Sequence, residues 1–148
     1  MSIFKRFLPI LLLVGLVFGS SGCSGQAAAS YTMGSEAMLP SFLSDAPPKV
    51  REAYQFAMAN PHDLETIPCF CGCGKMGHKS NWNCYIKEVD AAGKFTFDDH
   101  ASGCGICVDI TQDVMRLKRE GRSAKEIRAY IDGQYSGYGP STDTPLPV

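Results

Sequence analysis

The chain has 148 residues, 45% of them hydrophobic, and a formal net charge of −1. That length holds one domain once targeting and terminal segments are set aside, and the near-neutral charge leaves no electrostatic footprint for nucleic acid or another polyanion. Seven cysteines in so short a chain imply disulfides, bound metal or both, because a small core needs cross-links. No Ser-His-Asp set, pair of facing carboxylates or phosphate-binding loop stands out, so hydrolysis and phosphoryl transfer have no support in the sequence.

Residues 1–22 read as an export signal. Lys5 and Arg6 form its basic start, and Phe7 to Phe18 form an apolar run of 12 residues, too short to cross a bilayer. Of the 14 basic residues these two leave with the leader, so 12 face 15 acidic ones in what remains. Small residues, Gly19-Ser20-Ser21-Gly22, precede Cys23 in a pattern that resembles a bacterial lipobox, with Ser20 where leucine is usual. Lipidation of Cys23 would anchor the protein to the outer face of the cytoplasmic membrane. Ordinary signal cleavage after Ala27-Ala28-Ala29, giving a secreted protein, is the alternative.

Residues 23–44 then form the lipidated N-terminus and a flexible tether, rich in small and polar residues and without sustained periodicity. Met33 and Met38 within it are linker residues before they are copper ligands. The folded domain is expected over residues 45–135. Asp45 is placed to cap a helix with Pro47 and Pro48 in its first turn. Val50, Tyr54, Ala57 and Met58 recur at helical spacing until Asn60-Pro61. A short turn over Pro61 to Glu65 follows, in which His62 reads as a surface or capping residue.

Pro68-Cys69-Phe70-Cys71-Gly72-Cys73-Gly74 is the densest stretch of chemistry in the chain. Extended backbone would put the three thiols on one face, about 6.5–7 Å apart between Cα atoms, at or beyond disulfide reach. Gly72 and Gly74 allow positive φ, so this knuckle can curl and converge its sulfurs on an ion. Further on, Cys84 to Val89 and Lys94 to Phe97 read as a hairpin about an Asp90-Ala91-Ala92-Gly93 turn. Trp82, the one tryptophan, is expected to shield the cysteines from water.

From Gly105 to Glu120 the pattern is helical, with Ile106, Ile110, Val114 and Leu117 on one stripe and Gly121 as the terminator. Cys104-Gly105-Ile106-Cys107 opens that helix, so its two sulfurs sit one turn apart, where the helix N-terminus favours thiolate. Ser123 with Glu126 predicts a capping box for a last helix carrying Ile127, Tyr130 and Ile131 inward. Residues 136–148 read as a disordered tail.

A cysteine knuckle, a hairpin and a helix that opens with C-x-x-C make up the order of treble-clef zinc modules. The fold class expected is therefore α+β, a small helical domain around a β-hairpin with a treble-clef-like Cys-rich metal site. Candidate ligands are Cys69, Cys71, Cys73, His78, Cys84, Cys104 and Cys107. Cys71, Cys73, Cys104 and Cys107 make the simplest four-sulfur set, which suits Zn²⁺, whereas two or three thiolates suit Cu(I). His78 is the best nitrogen donor, His100 reads equally as a ligand or a turn residue, and Asp98 and Asp99 can orient it or merely end the hairpin. Met76 reads as packing or surface before it reads as a soft ligand.

Two other readings stay open. One is a thiol-disulfide oxidoreductase, with Cys104 as nucleophile and Cys107 resolving, although thioredoxin-like βαβ surroundings are missing. The other is a module stapled by three disulfides, which an oxidising exterior favours.

Pro68-Cys69-Phe70-Cys71-Gly72-Cys73 resembles the signature of the PCYCGC-motif lipoproteins, with Phe70 in the tyrosine position. Gly77-His78-Lys79-Ser80, Asn83-Cys84, Asp98-Asp99-His100, Gly103 to Cys107 and Lys125 to Asp132 are similar to further blocks of that family. The resemblance spans Ala46 to Tyr135 and implies an exported bacterial lipoprotein, anchored by its N-terminal lipid. The expected partners are the membrane, a metal ion and an unidentified protein outside the cytoplasm. The resemblance implies no particular activity.

Overall fold

The computed structural model describes residues 30–148. The export signal, Cys23 and the start of the tether lie outside the described residues. Among the described residues, four α-helices and one two-stranded antiparallel hairpin make a mixed α+β fold around an apolar core.

Helix α1 runs Pro48–Ala59 and buries Val50, Ala53, Tyr54, Phe56, Ala57 and Met58. Pro47, not Asp45, occupies its N-cap position, and no side chain caps it. The two prolines need no capping partner for their missing N–H groups. Asn60 ends α1 and leads directly into α2, Pro61–Glu65. The hairpin pairs β1, Ile86–Val89, with β2, Phe95–Phe97, in the register Ile86 to Phe97 and Val89 to Phe95, with an irregularity between Ile86 and Glu88. Its turn is held by Asp90, whose Oδ1 accepts from the N–H groups of Ala92 and Lys94 at 2.9 and 2.8 Å. Cys84, expected in the strand, lies instead in a 3-10 turn over Trp82–Cys84.

Helix α3, Gly105–Arg119, is the central packing element. Its stripe of Cys107, Val108, Ile110, Thr111, Val114, Met115 and Leu117 is buried between α1 and α4. Gly121 at φ 75° closes α3, with Gly121 N–H donating to Lys118 O and Arg122 N–H to Leu117 O. That is the pattern of a Schellman ending, for which a residue without Cβ is preferred. The expected capping box opens α4, Ala124–Tyr135, with both reciprocal bonds of Ser123 and Glu126 present. Each fully buried Leu, Ile or Val contributes about 1.5–3 kcal/mol through removal from water.

Both flanking segments make contacts with the domain. In the tether, Leu43 is buried, Gly34 N–H donates to Gln55 O, and the Tyr31 ring packs edge-on to Phe56. Residues 139–148 have no regular secondary structure, yet Thr142 is 2% exposed. Its N–H donates to Cys69 O at 3.0 Å, and its Oγ1 accepts from Cys69 N–H at 2.9 Å. Thr144 Oγ1 donates to Lys79 O, and Arg128 donates to Pro145 O. The tail is a strap across the knuckle, tied to it like one short rung of a ladder. Composition gave no hint of this, because Ser, Thr, Pro and Gly are as common in pinned loops as in free ones.

Candidate metal centre

The knuckle curls after Cys71. Gly72 and Gly77, at φ 84° and 92°, bracket a 3-10 turn over Cys73–Met76. Gly74, expected among the positive-φ residues, lies inside that turn without one. Both brackets use the left-handed region that glycine enters freely, so the chain reverses within a few residues. The reversal folds Cys73 back against Cys84 from the turn before β1, with their Sγ atoms 3.7 Å apart.

Opposite stands the first turn of α3, held by a buried polar network. Asn81 Nδ2–H donates to Cys107 O at 3.2 Å, and the Tyr85 hydroxyl donates to the same carbonyl at 2.8 Å. Thr111 Oγ1–H donates to Asn81 Oδ1 at 2.7 Å, and Asn81 N–H donates to Ile67 O at 2.7 Å. Satisfied in this way, buried polar groups fix one arrangement rather than costing stability. The network ties the approach to the knuckle, the turn before β1 and the C-x-x-C helix to one another.

The result is a continuous patch of soft donors. Cys69 Sγ lies 3.4 Å from Cys71 Sγ and 3.3 Å from Cys107 Sγ, and Cys71 Sγ lies 3.7 Å from Cys107 Sγ. His100 Nε2 lies 3.3 Å from Cys71 Sγ. A disulfide needs an S–S distance of about 2.05 Å. Sulfurs on a tetrahedral ion at about 2.3 Å stand about 3.8 Å apart. All six cysteines among the described residues are free thiols, so the disulfide-stapled alternative finds no pairing here.

Four overlapping donor groups have all their ligand atoms within 4.8 Å of one another. They are Cys71/His100/Cys104/Cys107, Cys69/Cys71/Cys73, Cys69/Cys84/Cys107 and Cys73/Cys84/His100. These groups can hold a metal ion. Cys69, Cys73, Cys84 and Cys107 are essentially inaccessible, while Cys71, Cys104 and His100 form a half-buried rim.

Electrostatics distinguish the thiols. Cys69 is held far toward thiolate, chiefly because Cys107 donates to it, with Cys73 and Cys84 adding further hydrogen bonds. The same interactions hold Cys107 and Cys73 protonated, and Cys84 is held so chiefly by its bond to Cys107. Cys71 is pushed up to about 11, first by burial and then by the charge on Cys69. Thiols packed this closely oppose one another's ionisation, since each new negative charge would sit beside the last. The helix N-terminus alone does not ionise Cys107, because a second anion beside Cys69 outweighs its partial charge.

His78 belongs to none of the four groups. Its Nε2 faces Asp98 Oδ2 at 3.6 Å, its Nδ1 is buried without a hydrogen-bond partner, and its ring meets His100 edge-on at 5.3 Å. Asp98 does not bond the His100 ring. Its Oδ1 accepts from the His100 backbone N–H at 2.8 Å and so fixes the turn His100–Gly103 that delivers both His100 and Cys104. Trp82 donates to Ala57 O at 3.1 Å and so braces α1. Met76 is 60% exposed, and His62 pairs with Glu65 on the surface.

His100 lies outside the ligand set expected from the sequence, although its position four residues before C-x-x-C is a signal for it. Asn81, Tyr85, Thr111 and Thr142 carry no signal, since most of their partners lie 22 to 73 residues away.

Among the described residues no helix is long and apolar enough to cross a membrane. No curated protein and no solved structure matches the chain. A family model described as a protein of unknown function with PCYCGC motif matches residues 21–147. With nearly the whole chain inside that match and the motif's cysteines gathered at the centre, this protein belongs to the PCYCGC-motif family.

Proposed function

We propose that this domain binds a soft or borderline metal ion, Cu(I) or Zn²⁺, through its clustered cysteines. It would do so outside the cytoplasm, where a lipid on Cys23 holds it to the membrane. One observation carries the reading: six unpaired thiols and an imidazole converge from three separate parts of the chain. Free thiols brought together at 3.3–3.7 Å are costly in an oxidising compartment unless a ligand uses them. The facing of the knuckle and the start of α3, with the hairpin between them in sequence, supports a treble-clef-like grouping. The half-buried rim supports capture and hand-over over a purely structural role.

Metal analysis of protein purified without a metal-affinity tag tests the reading. About one equivalent or a small integral number of Cu or Zn is expected, and Cys71→Ser with Cys107→Ser abolishes uptake. Protein that takes up neither ion from solution under reducing conditions overturns it.

The oxidoreductase reading keeps one favourable observation, the half-exposed Cys104 at the N-cap of α3. Against it, Cys107 makes its close sulfur contacts with Cys69 and Cys71. Disulfide reduction by metal-free protein, lost in Cys104→Ser, would favour that reading.

A further inference from the structure

The donors outnumber what one ion can use. A single tetrahedral ion takes four ligands, yet six sulfurs and one imidazole form an unbroken chain of overlapping groups. Cys107 belongs both to the rim group and to the inner Cys69/Cys84/Cys107 group. Cys69 links that inner group to the knuckle group, and Cys73, Cys84 and His100 close the circuit. A sulfur that belongs to two groups is placed to bridge two ions, because a thiolate has lone pairs for both.

Resting on the metal-binding reading above, we infer that the centre is polynuclear. It takes more than one Cu(I) ion in a thiolate cluster bridged by the sulfurs that two groups share, Cys69 and Cys107 among them.

Three observations select a monovalent soft ion over a second zinc. First, three of the four groups offer three donors, not four, and Cu(I) accepts threefold thiolate coordination whereas structural Zn²⁺ is nearly always four-coordinate. Second, six of the seven donors are sulfur, the softest ligand a side chain offers. Third, the inner sulfurs are 0–1% exposed, and buried thiolates need positive charge beside them. Several Cu(I) ions spread that charge along the cluster. One Zn²⁺ concentrates it at one end and leaves the remaining thiols protonated. Each thiol that binds gives its proton to solvent, and copper supplied as Cu(I) undergoes no change of oxidation state.

The geometry also orders the cluster. Cys71, Cys104 and His100 are reached from solvent, while Cys73 and Cys84 lie behind them. Ions enter at the His100 rim and the inner group fills by transfer between shared sulfurs.

The test is an anaerobic titration of the full chain, metal-free and reduced, with Cu(I) supplied as its acetonitrile complex, read by native mass spectrometry and luminescence. The expected result is two or more copper ions per chain, with the visible luminescence of copper-thiolate clusters shielded from water. Cys84→Ser removes an inner donor and leaves the rim group whole, so it should bind at least one copper fewer while still binding copper. Circular dichroism checks that this variant folds, and the wild-type count decides the matter if it does not. Saturation at a single copper overturns the polynuclear inference and leaves metal binding standing. Full wild-type stoichiometry in folded Cys84→Ser overturns the inner group. Failure to bind copper or zinc at all overturns both this inference and the reading beneath it.

Discussion

At the scale of single residues, the centre depends on protons as much as on sulfurs. Cys71 sits at about 11 and Cys107, Cys73 and Cys84 are held protonated beside the Cys69 thiolate. Metal uptake near neutral pH must therefore release protons, and affinity must rise with pH. An indicator-dye titration should show more than one proton released per ion, and release of none would rule out thiolate binding. The linkage for the metal-free fold runs the other way for Cys71. Its folded value lies above its ordinary one, so its contribution is present below about 9 and lost as pH rises through about 11. Urea denaturation of metal-free protein should show that loss between those limits. Tyr85 is a different kind of residue, touching no ligand atom but bonding the Cys107 carbonyl. Tyr85→Phe should cost roughly 0.5–1.5 kcal/mol of stability, read from denaturant unfolding, because Asn81 still bonds the Cys107 carbonyl. It should also weaken metal affinity without changing the number of ions bound.

Among the elements, the C-terminal strap decides more than its composition suggests. Thr142 satisfies both the N–H and the C=O of Cys69, and Gly139 runs so close to Phe70 O that an added Cβ would lie 2.9 Å from that oxygen. Thr142→Val keeps the shape and removes the acceptor, leaving a buried N–H unpaired, at a cost of about 1–3 kcal/mol. Deleting residues after Tyr138 should go further. Hydrogen exchange is expected to show the Cys69–Met76 knuckle opening while α3 and α4 stay protected. Unchanged protection of the knuckle would mean the strap is passive. The turn His100–Gly103 has the same character. Asp98 holds its first N–H, so Asp98→Ala should disturb His100 and Cys104 together.

For the whole molecule, the balance is between core and cross-link. The core is small, and net stabilities of such domains are only about 5–15 kcal/mol. An ion held by the knuckle, the turn before β1 and α3 would contribute on that same scale, because the unfolded chain has no preformed site. A strong chelator alone, without reductant, is expected to lower the melting temperature of metal-loaded protein sharply. An unchanged melting curve would make the site peripheral to the fold. Anchoring belongs to this scale too. Cys23→Ser should release the protein from membranes, and a variant that stays membrane-bound would show that no lipid on Cys23 holds it.

Periodicity and spacing were enough to read α1, α3, α4, the hairpin and the capping box of Ser123 and Glu126. These are local features whose signals lie within one element. The family was legible too, because the knuckle motif is contiguous in the chain. Which donors meet was not legible. His100 reaches Cys71 across 29 positions while His78 turns to Asp98, and the sequence treats the two histidines almost alike. Asn81, Tyr85 and Thr111 read as ordinary polar and aromatic residues until packing brings them to one carbonyl. The strap is invisible in composition because Thr142, Thr144 and Arg128 find their partners 17 to 73 residues away along the chain. Local backbone preference set the pieces, and only the packing of α3 against the knuckle decided which sulfurs share a centre.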